Sequence, residues 1–130
     1  MSKPKVAFFD FTSCEGCQLS KLNLENDLLG ILELVEIVNF REAISDRRED
    51  YEIAFIEGSI STPHCVERIH KIRQQAKIVV ALGACAHIGG VNAINSIPNP
   101  QPVMLWFQMY IRGTVLYCLI YDKIGCTQGR

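Results

Sequence analysis

Short apolar segments, each closed by a polar turn, recur along this chain and limit its fold more than any other feature of the sequence. Four segments have the length and the β-branched or aromatic content of strands: residues 5–11, 35–40, 53–56 and 77–82. Two stretches between them, residues 20–34 and 63–76, carry apolar side chains at helical spacing. This alternation predicts a parallel sheet covered by helices on both faces.

The order of these segments predicts an α/β fold of the flavodoxin-like doubly wound type, with a mainly parallel sheet and an irregular C-terminal tail. We expect one domain over residues 1–95 and an atypical tail over residues 96–130, where no clear period remains. Functional sites of such sheets lie beyond the carboxyl ends of the strands. Three loops leave strand ends and are expected to meet there: residues 12–17, 57–62 and 83–90. Thr12 or Ser13 is the expected cap of the first helix.

Composition argues against several classes of function. Of the 130 residues 48% are apolar and 21% are charged, and the formal net charge is −1, so nothing indicates binding to nucleic acid. No run of about 18 apolar residues is present, so direct insertion into a membrane is not expected. The N-terminus lacks the features of a secretory signal, which predicts a cytoplasmic protein. Six cysteines in that reducing compartment indicate metal or thiol chemistry rather than disulfides.

Three cysteines stand in the loops that are expected to meet. Cys14 and Cys17 form a Cys-x-x-Cys pair before the first helix, and Cys85 follows the strand at 77–82. A helix N-terminus favours thiolates and is expected to lower the pKa of this pair. Gly16 is expected to leave backbone N–H groups free to hydrogen-bond sulfur. The glycines around Cys85 leave space for a bulky cofactor.

The spacing of these cysteines is compatible with three kinds of chemistry. A cubane iron–sulfur cluster usually takes four thiolates, and a fourth would come from Cys65, Cys118 or Cys126. A zinc site needs four ligands in close pairs, and Cys85-Ala86-His87 would form half of one. A dithiol oxidoreductase uses a Cys-x-x-Cys pair between a strand and a helix, but leaves Cys85 without a role. From the spacing alone all three remain open.

Four other reactive side chains are expected to be structural. Cys65 lies inside the predicted helix at 63–76, where a buried and inert thiol is expected. His64 and His70 are expected on the surface of that helix. Glu57 ends the third predicted strand, and we expect its carboxylate to brace the following loop.

The combined motifs resemble the small subunit of nickel–iron hydrogenases and the related 20 kDa subunit of NADH:quinone oxidoreductases. The likeness rests on four motifs: Cys14-Glu15-Gly16-Cys17, Glu57-Gly58-Ser59, Gly83-Ala84-Cys85-Ala86 and Gly89-Gly90. It covers about residues 4–95 and is greatest to soluble hydrogenase and sulfhydrogenase small subunits. The resemblance implies that Cys14, Cys17 and Cys85 ligate a proximal [4Fe–4S] cluster. It also implies an electron relay between a large catalytic subunit, which holds the nickel–iron site, and further electron-transfer subunits.

The residues beside Cys14 favour the hydrogenase branch, and Leu19 departs from many of its membrane-bound members. Quinone-oxidoreductase members typically carry adjacent cysteines at the first motif, whereas Cys14 is flanked by Ser13 and Glu15. Many membrane-bound hydrogenases carry a glutamate, thought to pass protons, at the position that Leu19 occupies here. No proton-transfer role is therefore carried over to this chain.

The fourth cluster ligand of the family lies in a Gly-Cys-Pro motif near the C-terminus, and this chain has none. Cys126, in Gly125-Cys126-Thr127, is the nearest match and the predicted fourth ligand; Cys118 and an incomplete cluster are the alternatives. One hypothesis is that the tail is translated from a shifted reading frame. The codons for residues 104–110, read in another frame, can encode residues that resemble those before the last cysteine of the family. Resequencing the gene on both strands tests it.

Two other functions stay open from the sequence. One is a zinc-stabilised or cofactor-free interaction module on the same fold. A tail that lacks the fourth ligand is consistent with this function. The other is a dithiol oxidoreductase that uses Cys14 and Cys17.

Overall fold

The computed structural model describes residues 3–24, 26–45, 47–92 and 115–118. In chain order its elements are β1 (Lys5–Asp10), α1 (Gly16–Leu22), α2 (Asn26–Leu34), β2 (Glu36–Asn39), β3 (Ile53–Glu57), α3 (Pro63–Gln75), β4 (Ile78–Leu82), α4 (Gly83–Ile88) and β5 (Val115–Cys118). Helices follow β1 and β3, as the apolar pattern predicted, whereas no described residue between β2 and β3 is helical. None of the described helices combines the length and the apolar content that a membrane span requires.

The strands form one sheet in the order β2-β1-β3-β4-β5, and every neighbouring pair is parallel. This is the flavodoxin-like order, so the predicted α/β doubly wound fold is confirmed. The order reverses between β1 and β3, because the chain places β2 on one side of β1 and the later strands on the other. Right-handed crossovers on the two sides cover opposite faces of the sheet, which opens a crevice beyond the strand ends at this point.

The carboxyl ends of four strands are aligned in one row. Asp10 pairs with Glu57, and Glu57 pairs with Leu82. Leu82 pairs in turn with Cys118, the last residue of β5. The loops that follow β1, β3 and β4 therefore start side by side at one edge of the sheet.

Helix α3 covers the face of the sheet that carries most of the core. Ile69 and Ile72 of this helix are buried against strand side chains such as Ala54, Ile56 and Val79. Small and β-branched side chains alternate inward along β3 and β4, so the helix packs closely on both strands. This packing fixes the strand ends from which the second and third loops leave.

The prediction of a single first helix over residues 20–34 is wrong. The structure has two helices, and α1 begins at Gly16, four residues earlier than predicted. The break follows Asn23, a residue type whose side chain competes with helical hydrogen bonding, and the Asn23 N–H bonds to Leu19 O at 3.1 Å. The earlier start places Cys17 inside α1.

Helix α2 leaves much of its apolar face exposed, although the sequence predicted that this face is buried. Leu29 is 63% exposed and Leu32 is 37% exposed. The helix packs beside β2, which is the edge strand of the sheet and offers little surface to cover.

Residues 115–118 form β5, where the sequence indicated no element. The strand extends the sheet beyond β4. The rest of the tail, which includes the predicted ligand Cys126, lies outside the described residues.

Candidate metal centre

Cys14, Cys17 and Cys85 come together at the carboxyl edge of the sheet, as predicted from the loop positions. Cys14 is exposed in the β1–α1 loop, whereas Cys17 in α1 and Cys85 in α4 are partly buried. The thiols are close enough for their charges to interact, because Cys14 and Cys85 both contribute to the raised pKa of Cys17. Two loops about 70 positions apart in the sequence thus supply one cluster of thiols. That they bind a metal stays a prediction.

A glycine lies against the sulfur atom of each of these three cysteines. A Cβ at Gly16 would lie 3.3 Å from Cys14 Sγ. At Gly83 it would lie 2.3 Å from Cys17 Sγ, and at Gly90 2.8 Å from Cys85 Sγ. The last two distances are below van der Waals contact, and Gly83 and Gly90 also have positive φ angles of 78° and 55°, so any side chain there would displace the sulfur atom.

The first turn of α1 is capped from another strand. Glu57, the last residue of β3, is 2% exposed, and its carboxylate accepts the backbone N–H of Cys17 at 3.1 Å and of Gln18 at 2.9 Å. The predicted capping by Thr12 or Ser13 is wrong, because α1 begins at Gly16 and its N-cap is Glu15, whose side chain makes no capping bond. Glu57 therefore has a structural role, as predicted, but it braces the start of α1 and not the loop that follows β3. It joins the Cys-x-x-Cys helix to the centre of the sheet.

Glu15 has a left-handed backbone, with φ of 61°, although it is not a glycine. This conformation costs about 1–2 kcal/mol for an ordinary residue. It is the only such residue in the described part of the chain, and it lies between the two cysteines of the Cys-x-x-Cys pair. The local strain is therefore concentrated in the loop that presents Cys14.

The pKa values of the two partly buried thiols are raised, so the predicted lowering by the helix N-terminus is wrong for Cys17. Burial raises the pKa of Cys17 most, and the Glu57 carboxylate adds to it. Burial also raises the pKa of Cys85, followed by Cys14 and Glu57, while a hydrogen bond from the Val91 backbone N–H opposes the rise. The helix N-terminus does not offset the effect of burial on Cys17, because the N–H groups that would stabilise a thiolate already bind the Glu57 carboxylate.

The donor set fits an iron–sulfur cluster in its chemistry. Three thiols from two loops face glycine backbone, and a cubane takes each thiolate on a different iron atom. Next to them Gln18 is 1% exposed, and neither atom of its amide has a hydrogen-bond partner among the described residues. Within the same residues, no three His, Cys, Asp or Glu side chains are arranged around a single metal ion. Cys14, Cys17 and Cys85 are thus the residues that could hold a cluster.

Among the side chains expected to be structural, His64 and His70 lie where the sequence placed them, whereas Cys65 is less buried than predicted. Cys65 is partly buried against the core and is hydrogen-bonded to Thr62 at the start of α3. His64 and His70 are exposed on that helix. Cys118 ends β5 opposite Leu82, at the same sheet edge as the three thiols.

A groove of about 580 Å³ lies apart from the cysteines. It runs between α3 and the loop that connects β2 to β3, over Phe9 and Tyr51. No described residue of the connection between these parallel strands is helical, and the missing cover leaves the groove open. Cys14, Cys17, Cys65 and Cys85 do not line it, so the groove is not part of the candidate centre.

The sequence did not single out Asn92, which touches two of the three loops. Its side-chain amide donates to Thr12 O at 3.0 Å and to Ser59 Oγ at 2.8 Å. The available signal was its position two residues after Gly89-Gly90, which alone does not distinguish a loop contact from a solvated asparagine.

Comparison with known protein families gives a match over residues 14–116. The matching family is described as NADH ubiquinone oxidoreductase, 20 kDa subunit. The match includes all three cysteines of the candidate centre as well as Glu57.

Individual proteins similar to the chain are subunits of hydrogenases. It is 35% identical over 103 residues to a subunit of the F420-non-reducing hydrogenase vhu of Methanocaldococcus jannaschii, a match that covers 77% of the chain and 35% of that protein. It is 36% identical over 91 residues to the sulfhydrogenase 2 subunit delta of Pyrococcus furiosus, a match that covers 69% of the chain and 38% of that protein. The chain thus spans little more than a third of the length of these relatives.

A solved structure shows the same fold. The crystal structure of an NAD+-reducing [NiFe]-hydrogenase in the H2-reduced state superposes with a TM-score of 0.66 at 31% sequence identity. The superposition covers 74% of this chain and 54% of that one.

Proposed function

The chain belongs to the NADH ubiquinone oxidoreductase 20 kDa subunit family, and from that premise we propose that it is an electron-transfer small subunit of a hydrogenase-type complex. Cys14, Cys17 and Cys85 would hold a proximal [4Fe–4S] cluster in it. The proposal assigns the cluster-binding domain to residues 1–95 and treats residues 96–130 as an atypical tail. The observation that carries it is the meeting of three thiols, each against a glycine, beyond the ends of β1 and β4.

The bound cluster would supply a one-electron relay, and the chain's own residues would set the conditions for it. Partial burial of Cys17 and Cys85 limits the access of water to their sulfur atoms. The Val91 backbone N–H opposes the rise in the pKa of Cys85, and hydrogen bonds to sulfur are one of the means by which proteins tune cluster potentials. The buried Glu57 places a negative charge beside Cys17, which favours the oxidised, less negative form of a cluster.

The fourth ligand is best supplied by Cys118. Its Cα pairs with that of Leu82, and neighbouring strands lie about 4.8 Å apart. The residue after Leu82 is Gly83, whose Cβ position would be 2.3 Å from Cys17 Sγ. Added to the spacing of consecutive Cα atoms, these distances put the Cα of Cys118 within about 12 Å of the Cys17 sulfur atom. Cys126, the fourth ligand predicted from the sequence, lies outside the described residues and is the competing candidate.

The partners in this proposal are a large catalytic subunit of the nickel–iron hydrogenase type and further electron-transfer subunits. Hydrogenase subunits are the similar proteins, and the family match supports an assembly of this kind. The nickel–iron chemistry would belong to the partner, so the chain would not be catalytic alone. We propose that the complex works in the cytoplasm.

A thiol-exchange function receives less support from the geometry. A redox-active Cys-x-x-Cys pair needs a thiol with a lowered pKa, because the thiolate is the nucleophile. In this chain burial and the Glu57 carboxylate raise the pKa of Cys17.

Anaerobic reconstitution of the protein with iron and sulfide tests the proposal. We expect a brown protein with close to four iron and four sulfide per chain by analysis and a broad visible absorption band. The Cys85→Ser variant should lose the cluster, whereas Cys65→Ser, with its thiol in α3, should keep it. Zinc without sulfide in the wild-type protein, or no metal at all, would refute the cluster.

A further inference from the structure

The groove between α3 and the connection from β2 to β3 has positively charged walls. Arg47 and Arg48 line it from the connection, and Arg68 and Lys71 line it from α3. Among the described residues that line the groove, Glu49 alone is acidic. Positive charge is therefore concentrated on both sides of the groove, in a chain whose formal net charge is −1.

The backbone of the first wall is attached to the edge of the sheet. Arg47 forms an isolated β-bridge with Asn39, the last residue of β2. The Arg48 backbone N–H donates to Val38 O at 3.0 Å. These bonds fix the place from which both side chains start, so the two cations do not depend on a free loop for their position.

The second wall is fixed by α3 and by the strand end below it. The Arg68 guanidinium donates to Asp10 O at 2.6 Å and lies 5.9 Å from the centre of the Phe9 ring. Lys71 follows Arg68 by three positions on the helix, so the two side chains are neighbours on its surface. The next residue, Ile72, is buried and anchors this part of α3 on the core.

One cation on each wall is available to a ligand. Arg48 and Arg68 have carboxylate partners at the protein surface. No ion pair among the described residues involves Arg47 or Lys71, and both side chains are exposed. An anion in the groove would therefore gain two charge-assisted contacts without breaking an existing ion pair.

The apolar side chains of the groove offer little surface to a protein partner. Phe9 is 8% exposed, Tyr51 is 7% exposed and Ile72 is 4% exposed. A protein interface needs an apolar core, and the groove does not provide one. Its volume of about 580 Å³ lies within the range of small-molecule sites, about 300–1,000 Å³. Charge and size together favour a small anion over a protein segment.

We propose that this groove binds the phosphate groups of a small molecule, with Arg47 and Lys71 holding them from opposite walls. The Arg68 guanidinium adds a third positive charge beside them. A phosphate group carries about two negative charges and three acceptor oxygens, so it can bind several cations at once. Arginine in particular matches phosphate oxygens with two parallel N–H donors.

The side-chain amides of Gln74 and Gln75 also line the groove and can hydrogen-bond the organic part of such a ligand. The site goes beyond the proposed electron-transfer function and does not rest on it. Cys14, Cys17 and Cys85 lie outside the groove, so the phosphate site would exist whether or not a cluster is bound.

Isothermal titration calorimetry of the full chain with ADP and with inorganic pyrophosphate tests the site at low ionic strength. Arg47→Gln and Lys71→Gln should each weaken binding roughly tenfold, the size expected for one lost charge-assisted hydrogen bond. Lys77→Gln is the matched control, because it removes the same charge from an exposed position that does not line the groove. It should bind both compounds as the wild type does. All three positions are exposed, and thermal denaturation checks that the variants are folded.

The two compounds distinguish the sources of the phosphate. Tighter binding of ADP would identify an organic phosphate as the ligand, and binding of pyrophosphate that is at least as tight would identify an inorganic one; both results support the site. No binding of either compound at about 1 mM would overturn the inference. Wild-type affinity in both groove variants, or an equal loss in Lys77→Gln, would overturn it as well. Tighter binding of a polyglutamate peptide than of ADP would overturn it in favour of an acidic protein segment.

Discussion

The carboxylate of Glu57 accepts the backbone N–H of Cys17 at 3.1 Å, across the point where the order of the strands reverses. Glu57 is the last residue of β3, and Cys17 lies in the helix that follows β1. The bond replaces a local helix cap by a long-range one. It also puts a buried negative charge beside the thiols, which raises the pKa of Cys17 and so favours its protonated form.

Replacement of Glu57 by glutamine should weaken the fold and change the cluster together. The amide of the Glu57→Gln variant would present only one acceptor oxygen to two N–H groups, so the free energy of unfolding should fall by about 1–3 kcal/mol. Loss of the charge should move the midpoint potential of the cluster to more positive values. Urea denaturation and voltammetry measure the two effects. Glu67→Gln, at an exposed position of α3, is the control, and equal behaviour of the two variants would contradict this account.

Glycine to alanine substitutions should distinguish the glycines that contact the cysteine sulfur atoms from glycines elsewhere in the chain. Alanine at Gly83 would place its Cβ 2.3 Å from Cys17 Sγ at a φ of 78°, so Gly83→Ala should lose most of its iron. Gly30 lies inside α2 with nothing within 4 Å of its Cβ position, and Gly30→Ala should keep its iron and gain about 0.5–1 kcal/mol of stability. Iron analysis and thermal denaturation test the pair. Full iron content in Gly83→Ala would show that the thiols do not bind the metal as proposed.

The fourth ligand can be assigned with two serine variants. If Cys118 completes the set, Cys118→Ser should lower the iron content or leave a three-iron cluster, which electron paramagnetic resonance distinguishes. Cys126→Ser should then keep the wild-type iron content and spectrum. The opposite result would assign the fourth ligand to Cys126, as predicted from the sequence. A wild-type spectrum in both variants would mean that neither cysteine is required.

The raised pKa of Cys17 predicts how its reactivity depends on pH in the metal-free protein. Only the thiolate reacts with iodoacetamide, and burial together with Glu57 raises the pKa above its ordinary value of 9.0. The alkylation rate of Cys17 should therefore stay low at neutral pH and reach half of its maximum above pH 9.0. In Glu57→Gln this midpoint should move to lower pH, because the carboxylate no longer opposes ionisation. Peptide mapping by mass spectrometry measures the rates, and a wild-type midpoint below pH 9.0 would contradict the prediction.

The sequence by itself determined the sheet and the place of the site. Apolar runs such as residues 5–11 and 77–82 indicate buried parallel strands, because a strand covered on both faces has no polar side. Once the strands are parallel, their carboxyl ends share one edge, so Cys14 and Cys85 are expected in loops at that same edge. Local pattern and topology are sufficient for these conclusions.

The tertiary structure alone decided how the thiols are held. The cap of α1 comes from Glu57, 40 residues from Cys17, and no local signal near the helix could indicate it. The raised pKa of Cys17 follows from burial and from that carboxylate, both of which outweigh the helix N-terminus that the sequence suggested. The bonds from Asn92 to Thr12 and Ser59 are likewise set by the packing of three loops. The sequence pattern reports periodicity along the chain, whereas the charges and hydrogen bonds around a sulfur atom depend on residues that only folding brings together.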